Sequence, residues 1–224
     1  MGINIAIDGP AGAGKSTIAK LLAAKLGFIY VDTGAMYRAM ALYMLNNGID
    51  KDDEAKVTGV LDQVSVTIRH EDGAQQVYLN DQNVSGMIRT EEVGNTASKI
   101  SSYGAVRAAL LDLQRGLAAA NDVIMDGRDI GTTILPNAEL KIFLTASVEV
   151  RAKRRYDELT AKGETCDLER IAEDIAKRDE QDRNREVSPL KKAEDAIEVD
   201  TSDMTIEQVV DKLNELYEGV KRQA

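Results

Sequence analysis

The chain has 224 residues, 43% of them hydrophobic and 29% charged, which suits one folded domain with a small insertion and excludes both a disordered chain and two full enzymatic domains. A formal charge of −10, no Trp and 4% aromatic residues repel a polynucleotide backbone and leave little surface for stacking bases, so nucleic acid is not an expected partner. One cysteine (Cys166) and one histidine (His70) exclude a disulfide framework, a cysteine zinc cage and a multi-histidine metal centre, and fit a reducing compartment. The opening MGINIAIDGP lacks the basic and apolar regions of a signal peptide, and no apolar run reaches the length of a membrane span. A cytoplasmic protein without a membrane partner is therefore expected.

Residues 3–7 read as a short apolar strand, followed by a glycine-rich turn and by residues 17–24 at helical spacing. The turn, Gly9, Pro10, Ala11, Gly12, Ala13, Gly14, Lys15, Ser16, fits G-x-x-x-x-G-K-[ST] between a strand and a helix, the context that a phosphate-binding P-loop requires. Its glycines let backbone N–H groups turn toward phosphate oxygens, the helix start adds a positive dipole end, and Lys15 is placed for the β- and γ-phosphates. Ser16 is the expected Mg²⁺ ligand, and Thr17 is either a helix-start hydroxyl or a further α-phosphate contact.

A second strand over residues 28–31 ends at Asp32-Thr33-Gly34, and Met36, Met40, Tyr43 and Met44 then recur at helical spacing. Asp32 and Thr33 fit either a helix cap or a ligand contact, and Arg38 lies one turn after Thr33, where both reach one anion. Residues 64–68 and 76–79 alternate around His70-Glu71-Asp72-Gly73, which predicts an antiparallel hairpin. A second turn is expected at Asp81-Gln82-Asn83, with a brief third strand at Val84 and Ser85. Residues 123–125, 140–144 and 196–199 supply three more apolar strands between helical stretches. The predicted fold is thus α/β, a doubly wound five-stranded parallel sheet with helices on both faces and an inserted antiparallel sheet.

A P-loop alone does not separate kinases from switches or motors, so the remaining cations carry the distinction. Asp126-Gly127-Arg128-Asp129 closes a strand on the side where ligands bind such sheets. Asp126 either holds Mg²⁺ through water or ends the strand, and the bland alternative for Arg128 and Asp129 is a mutual surface ion pair. Arg151, Arg154 and Arg155 share a helical face, a crowding of like charge that an anion would relieve, and Arg178, Arg183 and Arg185 follow on the next helix. Residues 160–167, with Gly163, read as a mobile lid, although half of these arginines suit solvated faces paired to acids.

The blocks IDGPAGAGKST, VDTGAMYR, NTASKIS, VRAALLDLQR, DGRDIGT, KIFLTAS and RDEQDRNREVSPL stand in an order and spacing that closely resemble bacterial cytidylate kinases, over nearly the whole chain. The resemblance implies a nucleoside monophosphate kinase: a core of residues 1–35, 105–150 and 186–224, a monophosphate-binding insertion at about 36–104, and a lid with its flanking helices at about 151–185. It implies a monomer that transfers the γ-phosphoryl of ATP, with Mg²⁺, to CMP or dCMP, giving ADP and CDP or dCDP. The ATP site is residues 9–17. By block position Thr33, Arg38 and Arg128 contact the CMP phosphate, Ser98, Arg107 and Asp129 face cytosine, and Asp182 and Arg185 approach the ribose. Ser98 and Arg107 rest on the resemblance alone, since their local pattern reads as helix surface. Among the lid cations Arg154, Arg178 and Arg185 are the first expected to act. The family pattern commonly has serine where this chain has Thr33, which leaves the choice between ribose and deoxyribose open. The chemistry of cytosine agrees: its N4 amino group donates to a carboxylate such as Asp129, and its O2 and N3 accept from an arginine such as Arg107. Uracil presents O4 and N3–H instead, reversing that pattern at ring positions 3 and 4. The competing readings are a P-loop kinase for UMP, AMP or a non-nucleotide acceptor, and a nucleotide-dependent regulatory switch, against which no Asn-Lys-x-Asp guanine-reading segment occurs.

Overall fold

A computed structural model describes residues 2–71 and 73–222. The elements, in chain order, are β1 (Asn4–Asp8), α1 (Lys15–Leu26), β2 (Ile29–Asp32), α2 (Thr33–Asn46), α3 (Glu54–Thr58), β3 (Val66–Glu71), β4 (Ala74–Leu79), β5 (Gln82–Asn83), α4 (Glu91–Ile100), α5 (Gly104–Ala120), β6 (Val123–Gly127), β7 (Leu140–Thr145), α6 (Val148–Ala161), α7 (Leu168–Asn184), β8 (Ile197–Asp200) and α8 (Ile206–Lys221). They form two compact units, one holding Tyr30–Asn121, the other Ile3–Ile29 and the chain from Asp122 onward, so that the boundary falls inside β2.

A five-stranded parallel sheet has the order β2-β6-β1-β7-β8. β1 is central because its side chains are apolar on both faces: Ile5, Ala6 and Ile7 are fully buried, as a parallel strand covered on both sides requires. In register, Ile7 stands beside Asp126 and Ile142, and Asp8 beside Gly127 and Phe143, which brings the carboxyl ends of β1 and β6 level. α1 packs along β1, β6 and α8, burying Ile18 and Leu22. α8 starts on a capping box in which Thr205 and Gln208 satisfy each other's backbone N–H, and its Tyr217 meets Phe28 edge to face at 5.6 Å. A fully buried Leu or Ile of this kind stabilises the fold by about 2 kcal/mol.

In the other unit the predicted methionine stripe is real: Met36, Met40 and Met44 are buried on α2, which packs on α4 and β4. The three-stranded antiparallel sheet has the order β3-β4-β5. Its two long strands extend into the stretch expected as turn, Glu71 pairing with Ala74, and Asp72 of that turn lies outside the described residues. The third strand corrects the sequence reading, since it is Gln82–Asn83 and not Val84 with Ser85. The chain turns earlier, at Asn80 (φ 46°) and Asp81 (φ 65°), because Asn and Asp tolerate the left-handed region that a two-residue hairpin turn demands. Ser85 joins through its side chain, its Oγ accepting from Val77 N at 2.8 Å.

Candidate active site

The chain leaves β1 through Gly9 at φ 149°, where a Cβ would stand 1.9 Å from the Leu144 carbonyl oxygen, so only glycine permits the turn. α1 begins on Gly14 at φ 85° with no side-chain cap, which leaves its first amides directed at whatever the loop holds. Lys15, 6% exposed, donates its ammonium to Pro10 O at 2.7 Å. Burial, then the nearby Arg128 charge, pulls its pKa down to about 7, so an anion placed beside it restores the charged form. Ser16 Oγ donates to Asp126 Oδ2 at 2.9 Å, joining the helix start to the end of β6. Among the described residues no group of three or more His, Cys, Asp or Glu forms a metal cage.

After β6, Arg128 Nε donates to Asp182 Oδ2 at 2.8 Å, and Asp129 Oδ1 lies 3.5 Å from Arg185 Nη2. The surface pairing of Arg128 with Asp129 therefore gives way to two longer-range pairs that bind the end of β6 to α7 and the residue after it. Burial opposes charge on Asp182, but Arg128, Arg178 and Arg185 together hold its carboxyl below the usual range. The Arg128 guanidinium is likewise opposed by burial and held charged by Asp182. The structure thus gathers Lys15, Ser16, Asp126, Arg128, Asp129, Arg178, Asp182 and Arg185 in one unit, with phosphate-binding and arginine-bearing segments at the same end of the sheet.

The arginine row on α6 differs from the expectation that an anion relieves it, because each member has a partner within the chain. Arg151, 2% exposed, donates two parallel bonds to Asp179, at 3.1 and 2.6 Å, and a third to Ala11 O in the phosphate loop at 2.9 Å. Arg154 donates to Thr201 Oγ1 and O, and Arg155 pairs with Glu158. α6 and α7 flank residues 162–167, where Gly163 adopts φ 80°.

Asp8 is a further buried group that the motif alone did not mark. Its two oxygens accept from Ile130 N at 2.7 Å and Gly131 N at 2.8 Å, tying the residue before the phosphate loop to the π-helical turn Ile130–Ile134. Burial outweighs those bonds and pushes its pKa up to about 6. Because the folded pKa lies above the unfolded value, the folded state binds the extra proton between about pH 4 and 6, and stability falls as pH rises through that window, by about 3 kcal/mol in all. Asp8→Asn cannot titrate, so the gap in unfolding free energy between wild type and variant should change by roughly that amount between pH 4 and 7. Urea denaturation at each pH measures it, and a gap independent of pH would remove Asp8 as the cause.

In the other unit, Asp32 caps α2 through Oδ1, which accepts from Ala35 N at 3.0 Å, while its Oδ2 faces Arg89 at 3.3 Å and Arg38 at 3.6 Å. Gly34 has no Cβ, and one there would stand 3.1 Å from Asp32 Oδ1 and 3.6 Å from Arg38 Nη2, so Arg38 folds back over the helix start. Thr33 is buried beside them. Arg107 is buried, lies over the Tyr37 ring at 5.5 Å and donates to Ser101 O, and Ser101 Oγ donates to Ser98 O. Ser98 and Arg107 are thus brought together through Ser101. Arg89 was absent from the sequence reading; the only local signal is an arginine ahead of the Thr90 cap of α4.

A family model for cytidylate kinase matches residues 5–219. The chain belongs to the cytidylate kinase family. It is 51% identical over 216 residues to a cytidylate kinase of Lactobacillus johnsonii, covering 96% of this chain and 94% of the relative. To the cytidylate kinase of Halalkalibacterium halodurans it is 52% identical over 207 residues, 92% and 93% of the two chains. The fold is shared with the solved structure of an uncharacterized protein from Eubacterium ventriosum, 14% identical with a TM-score of 0.51, over 96% of this chain and 97% of that one. For a cytidylate kinase, the paired carboxylates and arginines after β6 give the phosphate loop a polar neighbour at the same end of the sheet. No helix among the described residues is long and apolar enough to cross a membrane.

Proposed function

We propose that the chain transfers the γ-phosphoryl group of ATP to CMP or dCMP, giving ADP and CDP or dCDP. The observation that carries this is the joining of the phosphate loop to the arginine–carboxylate cluster after β6, through Ser16 and Asp126, in a member of the cytidylate kinase family. The loop of Gly9 to Thr17 holds the ATP phosphates. The acceptor phosphate is assigned to Thr33, Arg38 and Arg128, the cytosine to Ser98, Arg107 and Asp129, and the sugar to Asp182 and Arg185. The monophosphate-binding insertion at about 36–104 and a lid with its flanking helices at about 151–185 are proposed on the same resemblance, as are a monomer and a cytoplasmic location.

The phosphate of CMP is already a nucleophile, so the residues have to position two anions in line and offset the charge at the transition state. Lys15 neutralises the transferred group, Arg128 orients the acceptor, and Arg154 and Arg178 are kept as lid cations. Arg154 must exchange its bonds to Thr201 to take that part. The Ser16 hydroxyl and Asp126 carboxylate stand side by side, an all-oxygen pair suited to Mg²⁺, which takes few protein ligands beside phosphate oxygens and water. Held there with ATP, the ion supplies charge neutralisation at the β- and γ-phosphates.

A coupled assay with CMP, dCMP, UMP and AMP at equal concentration tests the reading: CMP and dCMP should be the preferred acceptors, and a preference for UMP or AMP defeats it. Asp129→Ala should lower the CMP-over-UMP ratio by about tenfold or more, since one matched hydrogen bond to a buried charged group is worth about 1.5–3 kcal/mol. An unchanged ratio would place base recognition elsewhere.

A further inference from the structure

Two hairpin side chains hold the main chain at the end of β2. The Gln75 carboxamide meets both backbone groups of Asp32, its Oε1 accepting from Asp32 N at 2.8 Å and its Nε2 donating to Asp32 O at 3.3 Å. His70 is the cross-strand partner of Gln75, and its Nε2 lies 3.1 Å from Tyr30 O, where the carbonyl can only accept and the ring nitrogen donates. In an extended strand the backbone groups of residues two apart share one edge, so Tyr30 O, Asp32 N and Asp32 O all belong to the same side of β2. The two side chains thus satisfy backbone groups along that side of β2.

Asp32 is where several contacts meet. Its carboxylate caps α2 and faces Arg38 and Arg89, and the next residue is Thr33. Fixing its two peptide groups fixes the turn from which Thr33 and Arg38 project. A carboxamide offers an acceptor and a donor on separate atoms to such a pair, and glutamine has the length to reach from β4.

We propose that Gln75, assisted by His70, is a positioning residue for the acceptor nucleotide, holding the Asp32 turn so that Thr33 and Arg38 meet the monophosphate in a preset geometry. The inference rests on the reading above that these two residues hold the acceptor phosphate. It concerns a residue outside that set, and it predicts an effect on one substrate.

Steady-state kinetics of Gln75→Ala, with CMP and ATP varied separately, should show KM for CMP raised about five- to tenfold and KM for ATP within about twofold of wild type. Gln75→Glu keeps the acceptor for Asp32 N and sets a carboxylate oxygen against Asp32 O, so it should not rescue the defect. Amide hydrogen exchange read at Asp32 provides a measurement independent of turnover: protection should drop in Gln75→Ala. Undiminished protection, an unchanged KM for CMP, or equal rises in both KM values would each overturn the positioning role while leaving the kinase reading intact. A wild-type chain inert toward CMP would overturn the kinase reading and the acceptor role of Gln75 with it, even where the exchange result showed the clamp itself.

Discussion

Lys15→Ala is expected to lower kcat for phosphoryl transfer by about 10²- to 10³-fold while the fold is retained. The lysine is buried at the loop mouth with its ammonium on Pro10 O, and burial has already weakened its hold on the proton. A group in that condition binds an anion strongly, because the anion supplies what water no longer does. Removing one preorganised donor to a developing charge typically costs about 3–4 kcal/mol at the transition state, which is the factor quoted. The coupled assay gives kcat, and circular dichroism with urea denaturation checks that the loss is chemical. Turnover near the wild-type value would remove Lys15 from its assigned part.

Asp179→Ala is the substitution expected to cost most in stability, about 3–5 kcal/mol. Asp179 is 3% exposed and accepts two bonds from Arg151, itself buried, so truncation leaves a guanidinium in the interior without its counter-charge. The same guanidinium donates to Ala11 O, and the Arg151 Cβ stands 3.4 Å from where a Cβ on Gly12 would be, so the damage reaches the phosphate loop. Domains have stabilities of about 5–15 kcal/mol, and this loss would bring the variant near the margin. The double variant Arg151→Met, Asp179→Leu should recover part of the stability, since replacing both members of a buried pair by apolar groups is far milder than removing one. Urea unfolding decides it: a loss below about 1 kcal/mol for Asp179→Ala would mean that the pair is solvated.

The parts of this site that the sequence discloses are those written in adjacent residues. The phosphate loop needs glycines, lysine and hydroxyl at fixed spacing between strand and helix, and its motif stands in one stretch of chain. The apolar stretches at β1, β6 and β7 yield the middle strands of the sheet because a parallel strand buried on both faces is near-continuously apolar. The partners of Arg128, Arg151 and Asp8 lie 54, 28 and 122 residues away, and no periodicity marks a side chain whose mate is that distant. Arg151 shows the limit well: three arginines on one helical face suggest a shared anion, and only the fold reveals that Asp179, Thr201 and Glu158 each take one. The small antiparallel sheet is intermediate. Its alternation gives the hairpin, but turn placement depends on which residues accept positive φ, and Asn80 with Asp81 do so before the expected position.

His70 is the one imidazole in 224 residues, and it sits where the hairpin meets Tyr30 O. Its Hε1 is therefore the one imidazole signal of its kind, read downfield of the Tyr and Phe ring protons once the amides are exchanged into D2O. The chain carries its own spectroscopic probe, placed at the tie between the hairpin and the strand that leads to Thr33.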